Sequence, residues 1–171
     1  FSMCGIAGYY STNSVFSKQE LEDMTSSLEH RGPENQSVFV ENHVGLGHRR
    51  LKIIDLSDDA NQPMISHSGK YHIVFNGEIY NYKEIQEQYQ IDSKTTSDTE
   101  ILLEAYEKAG VEILKHLNGM FAFAVYNRVN DELFLARDRM GIKPIYYFFD
   151  GENFAFASEL TSSTSDNTNP I

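Results

Sequence analysis

A chain of 171 residues is long enough for one domain with a buried core, and a formal charge of −11 with a pI near 4.9 argues against nucleic-acid binding. The single cysteine, Cys4, excludes an internal disulfide framework and a multi-cysteine zinc site. No apolar run approaches the ~20 residues that span a bilayer, and no signal-peptide pattern opens the chain. We therefore expect a cytoplasmic protein without membrane contact. Because the six histidines lack metal-ligand spacing, no metal site is predicted.

The first residues hold a candidate nucleophile. Cys4 opens an apolar, glycine-punctuated segment to Tyr10 that predicts a strand. The cysteine is either a small buried hydrophobe or, once Met3 is removed, a nucleophile whose own α-amine accepts a proton. Because Phe1 and Ser2 also precede it, its nitrogen is an amide in the printed chain. We expect residues 1–3 to be a tag remnant or propeptide, and activity to require a chain that begins at Cys4.

Residues 17 to 32 are typical of a helix with both ends marked. Ser17 and Glu20 fit an N-terminal capping box, and Gly32 follows the last turn. Apolar residues recur between them at helical spacing, at Leu21, Met24 and Leu28. The sequence therefore predicts an amphipathic helix before the next turn.

A basic cluster follows the hairpin that is predicted over residues 38 to 46. His48, Arg49 and Arg50 stand in front of the largely apolar residues 51 to 56. Adjacent arginines are commonly a solvated surface pair, but a planar guanidinium also suits the binding of a substrate carboxylate. The local pattern leaves open which arginine would do so.

Asn76 and Gly77 follow a predicted strand over residues 71 to 75, and two interpretations are open. Asn-Gly between apolar residues is typical of a type I′ hairpin turn. However, apolar residues from Ile79 onward recur at helical spacing, which indicates that the strand ends at Asn76-Gly77 and passes into a helix. In that case an amide side chain and a glycine N–H at a strand end could hold an oxyanion.

Another helix is predicted to begin after Ser97. Ser97 and Glu100 fit a second capping box, and Gly110 ends the helical pattern. Asp98 lies in the first turn, where the helix dipole favours a carboxylate, so its position has a structural explanation as well as a functional one.

The remaining pattern predicts strands. Bulky residues at 121, 123 and 125 alternate with Ala122 and Ala124, so one face is small enough to pack close to another layer. Two antiparallel pairs are expected, residues 121–126 with 133–136 and residues 145–149 with 154–157. These pairs favour an α+β sandwich of two stacked sheets with helices outside. Residues 161–171 are typical of a polar tail or linker.

Taken together, the motifs resemble the glutaminase domain of class II glutamine amidotransferases, of the asparagine synthetase type. The matching stretches keep the family's order over residues 3 to about 160: MCGIAG (3–8), HRGP (30–33), HRRL (48–51), IIDL (53–56), QPM (62–64), NGEIYN (76–81), SDTE (97–100), GMFAFA (119–124), LARDR (135–139) and GIKP (141–144). The resemblance implies the N-terminal nucleophile hydrolase fold, a four-layer αββα sandwich of two stacked antiparallel sheets flanked by helices.

The resemblance also implies a reaction. The Cys4 sulfur would attack the side-chain amide carbon of L-glutamine while its α-amine relays the proton, and water would hydrolyse the resulting thioester to glutamate. The Asn76 side-chain amide and the Gly77 N–H would hold the oxyanion.

Substrate contacts follow from the same resemblance. Arg50 would bind the α-carboxylate of glutamine, and Glu78 and Asp98 would bind its α-amino group. Ile53 or Ile54 would offer backbone contacts.

Cofactors and partners are implied in the same way. No cofactor is expected for the glutaminase reaction, whereas ATP and Mg would belong to a synthetase domain or subunit that accepts the ammonia. Residues 4–160 would form the amidotransferase domain, with residues 161–171 leading toward that synthetase domain, which this sequence does not contain. The alternative is a non-catalytic domain that senses glutamine.

Overall fold

The computed structural model describes residues 4–51, 61–160 and, by backbone only, 168–170. Its strands are β1 Gly5–Ser11, β2 Asn35–Glu41, β3 Val44–Arg50, β4 Met64–Ile65, β5 Tyr71–Ile79, β6 Gly119–Asn127, β7 Glu132–Arg137, β8 Tyr146–Phe149, β9 Asn153–Ala157 and β10 Thr168–Pro170. Its helices are α1 Lys18–Ser26, α2 Tyr82–Gln88, α3 Asp98–Ala109 and a 3₁₀ helix Gly110–Lys115. The expectations for Ile53, Ile54 and residues 1–3 lie outside the described residues.

The strands form two antiparallel sheets. The larger has the strand order β10, β8, β9, β1, β3, β2, and the smaller has the order β4, β5, β6, β7. The hairpins predicted for residues 38–46, 121–136 and 145–157 are present, as β2 with β3, β6 with β7 and β8 with β9. The short strand β10 pairs with β8 inside the segment for which the sequence predicts a polar tail or linker.

Three apolar clusters stack the elements into four layers. Helix α1 packs on the outer face of the larger sheet through Leu21 against Tyr9, and α3 packs on the outer face of the smaller sheet through Ile101 and Leu102. The third cluster lies between the sheets and consists of Ile6, Val44, Leu46, Val74, Ala122, Ala124, Tyr126, Ile145 and Phe156. This αββα order confirms the expected fold class.

The alternation on β6 separates two of these layers. Phe121, Phe123 and Val125 pack toward α3, whereas Ala122 and Ala124 face the other sheet. Small side chains on the inner face allow the two sheets to approach closely, while burying each large side chain contributes roughly 1.5–3 kcal/mol. The predicted bulky and small faces are therefore confirmed.

One of the two capping boxes forms. The Ser17 hydroxyl accepts from the Glu20 N–H, and the Glu20 carboxylate accepts from the Ser17 N–H at 2.7 Å. The second prediction is wrong in part, because Ser97 caps α3 through the Thr99 N–H but Glu100 does not reach back to it. The Glu100 carboxylate instead accepts hydrogen bonds from the backbone of residues 94 and 95 and contacts the His67 ring.

The hairpin interpretation of Asn76-Gly77 is wrong. Strand β5 continues through both residues to Ile79, because β6 extends to Gly119 and pairs with them, and α2 begins at Tyr82. The helix indicated by the periodicity is present, but the strand before it ends later than predicted. Within the described residues, no helix combines the length and the apolar character needed to cross a bilayer.

Candidate active site

Strand β3 carries two polar side chains into the layer between the sheets. Val44 and Leu46 belong to the inter-sheet core, so period-two alternation places His48 and Arg50 on the same face. Arg49 lies on the opposite face, where its Nη1 donates to Gln36 Oε1 at 3.1 Å. The structure therefore directs Arg50, and not its neighbour, toward the interior.

Cys4 lies directly opposite Arg50. Gly5 pairs with Arg49, so one further step in this antiparallel register brings Cys4 level with Arg50. Arg31, which is 5% exposed, donates from Nε to the Cys4 carbonyl at 3.3 Å and pairs through Nη1 with Glu159. The backbone of the candidate nucleophile is thus held from a turn that follows α1.

Several cations surround the partly buried Cys4 thiol. Burial raises the pKa of this thiol, while the Leu51 backbone and then Arg50, Lys143 and Arg31 act to lower it. Nearby positive charge stabilises a thiolate, which is the reactive form of cysteine. The net result is a raised pKa, because burial outweighs the nearby positive charge, and the three cations offset part of the cost of forming a thiolate here.

Strand β5 brings a buried amide to the same layer. Val74 lies in the inter-sheet core, so Asn76 and Glu78 continue that face. Asn76 is 2% exposed, and among the described residues its Nδ2 has no hydrogen-bond partner. A buried donor without a partner is uncommon in native proteins, because it loses its hydrogen bonds to water. The unsatisfied amide marks a place where a ligand acceptor could bind.

The open edge of β5 offers a second donor next to Asn76. On this edge the Phe75 N–H donates to Gln62 Oε1 at 2.5 Å, and the Ile79 N–H donates to Asp98 Oδ2 at 2.9 Å. The alternation of the strand places the Gly77 N–H on the same edge between them, and it has no hydrogen bond in the described part of the chain. The amide side chain and this N–H form a pair of adjacent free donors.

Gly77 is required by the closeness of β6. A Cβ at this position would lie 2.1 Å from the Met120 carbonyl oxygen, and its φ of +153° is rarely adopted by residues with a side chain. The backbone here therefore accepts only glycine without rearrangement.

Two carboxylates lie near the end of β5. Glu78 is exposed, and Asp98, the first residue of α3, is anchored by the Ile79 N–H. Burial raises the pKa of Asp98; the Ile79 and Thr99 N–H groups oppose this shift, and repulsion by Glu78 adds to it. A negative pair at this end and the Arg50 guanidinium have the charges required to bind a zwitterion.

His48 joins the two sheets beneath the site. It is 2% exposed, and its ring lies close to the backbone of Phe75 on β5. Burial, with a contribution from Arg50, lowers the pKa of His48 to about 3. The His48 ring is therefore uncharged at physiological pH, and its role there is structural and not that of an acid or base.

Three further residues contribute to this region, and the sequence alone does not single them out. Arg31 holds the Cys4 carbonyl, Gln62 satisfies the edge of β5, and Lys143 is buried near the thiol. Each lies in a stretch that carries the family resemblance, HRGP, QPM and GIKP, and this was the available signal. Within residues 4–51 and 61–160, no group of three or more His, Cys, Asp or Glu side chains could hold a metal ion.

Two stacked antiparallel sheets between helical layers, with Cys4 directly before the first strand and Asn76 on the inner face of the second sheet, are the fold of the N-terminal nucleophile hydrolases. The chain belongs to the glutamine amidotransferase domain family, whose family model matches residues 3–169.

Relatives and a solved structure agree with this assignment. The chain is 40% identical to asparagine synthetase 3 (glutamine-hydrolyzing) of Bacillus subtilis, covering 92% of this chain and 27% of that protein. It is 39% identical to the amidase chry2 of Gibberella zeae, covering 94% and 26%. In fold it is similar to the glutamine phosphoribosylpyrophosphate amidotransferase of B. subtilis, with a TM-score of 0.77 and 21% identity over 98% of this chain and 44% of that one. The chain thus spans about a quarter to a third of the curated relatives' length.

Proposed function

We propose that this domain hydrolyses the side-chain amide of L-glutamine to glutamate and ammonia through a Cys4 thioester. The observation that carries the proposal is a pair of donors, Asn76 Nδ2 and the Gly77 N–H, that have no partner among the described residues and lie in a site that also holds Cys4. Donors fixed in place before the reaction stabilise an oxyanion without reorganisation, and each contributes roughly 3–4 kcal/mol to lowering the barrier.

The proposed reaction has two halves. The Cys4 sulfur attacks the amide carbon, its α-amine takes the thiol proton, and the carbonyl oxygen becomes an oxyanion held by Asn76 and Gly77. The C–N bond then breaks as the α-ammonium returns the proton to the leaving nitrogen, and ammonia departs. Water next attacks the thioester with the α-amine as base, the C–S bond breaks, and glutamate leaves.

The charges of the site would orient the substrate. Arg50 binds the α-carboxylate of glutamine, and Glu78 and Asp98 bind its α-ammonium. By the family resemblance, Ile53 or Ile54, which lie outside the described residues, would add backbone contacts. Because a zwitterion needs one cation and one or two anions at a fixed separation, this set selects a free amino acid over a peptide-bound glutamine.

The ammonia requires an acceptor outside this domain. We propose that it passes to a synthetase domain or subunit that uses ATP and Mg to amidate a carboxylate, with aspartate as the default acceptor for this type. The relatives that are three to four times longer support this arrangement. We further propose a cytoplasmic location, which the single free cysteine favours.

The free α-amine of Cys4 is the decisive chemical requirement. We propose that residues 1–3 must be removed, because an amide nitrogen cannot accept a proton. The test measures glutamate and ammonia formed from glutamine by three proteins: a chain that begins at Cys4, the chain that begins at Phe1, and a Cys4→Ala variant. Intact mass confirms each N-terminus.

We expect turnover only from the chain that begins at Cys4. Equal rates from that chain and from the chain that begins at Phe1 would contradict the role of the α-amine. Turnover by Cys4→Ala would contradict the role of Cys4 as nucleophile. If glutamine protects Cys4 from alkylation in the chain that begins at Cys4 but no glutamate forms, the domain is instead a glutamine sensor.

A further inference from the structure

Lys143 is a buried charge that the proposed reaction does not use. Its side chain belongs to a residue only 5% exposed, and in the described part of the chain its Nζ has neither an ion pair nor a hydrogen bond. Lysine is rarely buried unless it is paired, because removing an ammonium from water is costly. The groups around the Lys143 side chain should therefore explain why a lysine is buried at this position.

The turn before Lys143 is fixed by its own hydrogen bonds. The Asp138 carboxylate accepts from the Lys143 N–H at 3.1 Å and from the Phe121 N–H at 3.2 Å, and Arg137 Nε donates to the Lys143 carbonyl at 2.7 Å. Phe121 is the β6 partner of Gly77. The turn is thus tied to the strand that lies directly behind the candidate oxyanion site.

The same turn leads into the inter-sheet core beside Cys4. Ile145, two residues after Lys143, packs in the cluster that also contains Ile6, two residues after Cys4. The two side chains are close enough for Lys143 to interact electrostatically with the Cys4 thiol and the Glu78 carboxylate. Lys143 therefore lies near both Cys4 and Glu78, which is one of the carboxylates proposed to bind the substrate.

The other cations near Cys4 are engaged. Arg31 pairs with Glu159, and Arg50 donates to Asn61 Oδ1 at 2.7 Å. Burial and the Arg31 charge lower the pKa of Lys143, whereas the Cys4 thiol, Glu78 and Asp138 raise it. Of the three cations that lower the pKa of the thiol, Lys143 is the one whose charged group has no hydrogen-bonded partner among the described residues.

We propose that Lys143 is a positioning residue for Cys4, whose ammonium stabilises the sulfur as a thiolate. Stabilising the thiolate favours two steps of the reaction. One is the loss of the thiol proton, and the other is the breaking of the thioester C–S bond, in which the electron pair returns to sulfur. The catalytic part of this inference rests on the proposed glutaminase function, but the coupling of charge between Lys143 and Cys4 does not.

The test measures alkylation of Cys4 by iodoacetamide as a function of pH in the chain that begins at Phe1. That chain is suitable because its Cys4 nitrogen is an amide, so the α-amine does not titrate beside the thiol. We expect Lys143→Met to shift the profile to higher pH and to lower the alkylation rate at pH 7 by about tenfold, which is the change in thiolate for one pKa unit. The rate on the high-pH plateau should be unchanged.

Matched variants separate charge from structure. Lys143→Arg keeps the charge and should retain most of the neutral-pH rate, and Lys143→Gln should behave like Lys143→Met. Lys115→Met removes the same charge from an exposed side chain and should leave the profile unchanged. Circular dichroism confirms that each variant is folded.

Two results would overturn the proposal. One is a Lys143→Met or Lys143→Gln profile that superposes on that of the unmodified chain. The other is unfolding of both neutral variants while Lys143→Arg stays folded, which would make the ammonium a requirement of the fold. Failure of the glutaminase function itself would look different, since the chain beginning at Cys4 would then form no glutamate whatever the residue at position 143.

Discussion

At the scale of one residue, the buried Asn76 amide is unfavourable in the free protein but suited to bind a ligand. Leaving a buried donor unpaired costs roughly 1–3 kcal/mol, and this cost falls on the free protein. A substrate whose carbonyl oxygen gains negative charge removes that penalty only as it approaches the transition state. An interaction that strengthens in this way accelerates the chemical step and not merely binding.

Replacing Asn76 tests this account. We expect Asn76→Ala, in a chain that begins at Cys4, to lower kcat for glutamine hydrolysis by about 10²- to 10³-fold with little change in KM, because the lost donor acts on the oxyanion. Steady-state kinetics measure the effect. Asn130→Ala, on an exposed loop, is the control and should retain full activity. A large increase in KM with kcat unchanged would instead assign Asn76 to ground-state binding.

Strands β3 and β5 meet beneath the site, although they belong to different sheets. The His48 ring of β3 lies close to the backbone of Phe75 on β5, directly before Asn76, and the Phe75 N–H donates to Gln62 Oε1. The edge of β5 that carries the free Gly77 N–H is therefore held by side chains and not by a neighbouring strand. This arrangement leaves one backbone donor open in an otherwise satisfied edge.

The burial of His48 between these strands makes the stability of the fold sensitive to acid. The pKa of His48 falls from 6.5 to about 3 in the folded protein, so between these values the unfolded chain binds a proton that the folded chain does not. The stability present above about pH 6.5 is therefore lost as the pH falls, by up to about 1.4 kcal/mol per pH unit.

We expect His48→Asn to flatten the pH dependence of the unfolding free energy over this range. Asparagine is polar and uncharged, and it does not titrate. Urea unfolding at a series of pH values measures the slope, with the exposed His116→Asn as control. An unchanged slope in His48→Asn would show that other groups set the acid limit.

At the scale of the whole molecule, the two ends of the described sandwich are joined next to Cys4. The Ile6 N–H donates to Ser158 Oγ at 2.9 Å, and the Ser158 N–H donates to the Ile6 carbonyl at the same distance. The neighbouring Glu159 binds Arg31, which holds the Cys4 carbonyl. The position of Cys4 thus depends on contacts more than 120 residues away in the sequence.

Loss of the Ser158 hydroxyl should weaken this junction. Ser158 is fully buried, so Ser158→Ala leaves the Ile6 N–H without a partner and should lower the unfolding free energy by about 1–3 kcal/mol. Chemical denaturation measures the change. The matched variant is Ser26→Ala, whose hydroxyl bonds to Gln36 at the surface and can be replaced by water. Equal effects of the two substitutions would contradict the assigned role.

The sequence by itself determined the elements and their faces. The Ser17 capping box, the alternation at residues 121–125 and the hairpins depend on neighbours a few residues apart, so local periodicity was sufficient to predict them. It also supplied the candidates Cys4, Asn76, Gly77 and Asp98, because their motifs are short and contiguous.

Only the tertiary structure decided which groups share one site. Whether Arg49 or Arg50 faces the interior depends on which side of β3 meets the second sheet, and the unpaired Asn76 amide can be recognised only once its surroundings are known. The end of β5 was predicted too early because pairing with β6 outweighs the local turn preference of Asn-Gly. Lys143 was missed for the same reason: burial and proximity to Cys4 arise from packing between segments that are distant in sequence, which no local pattern records.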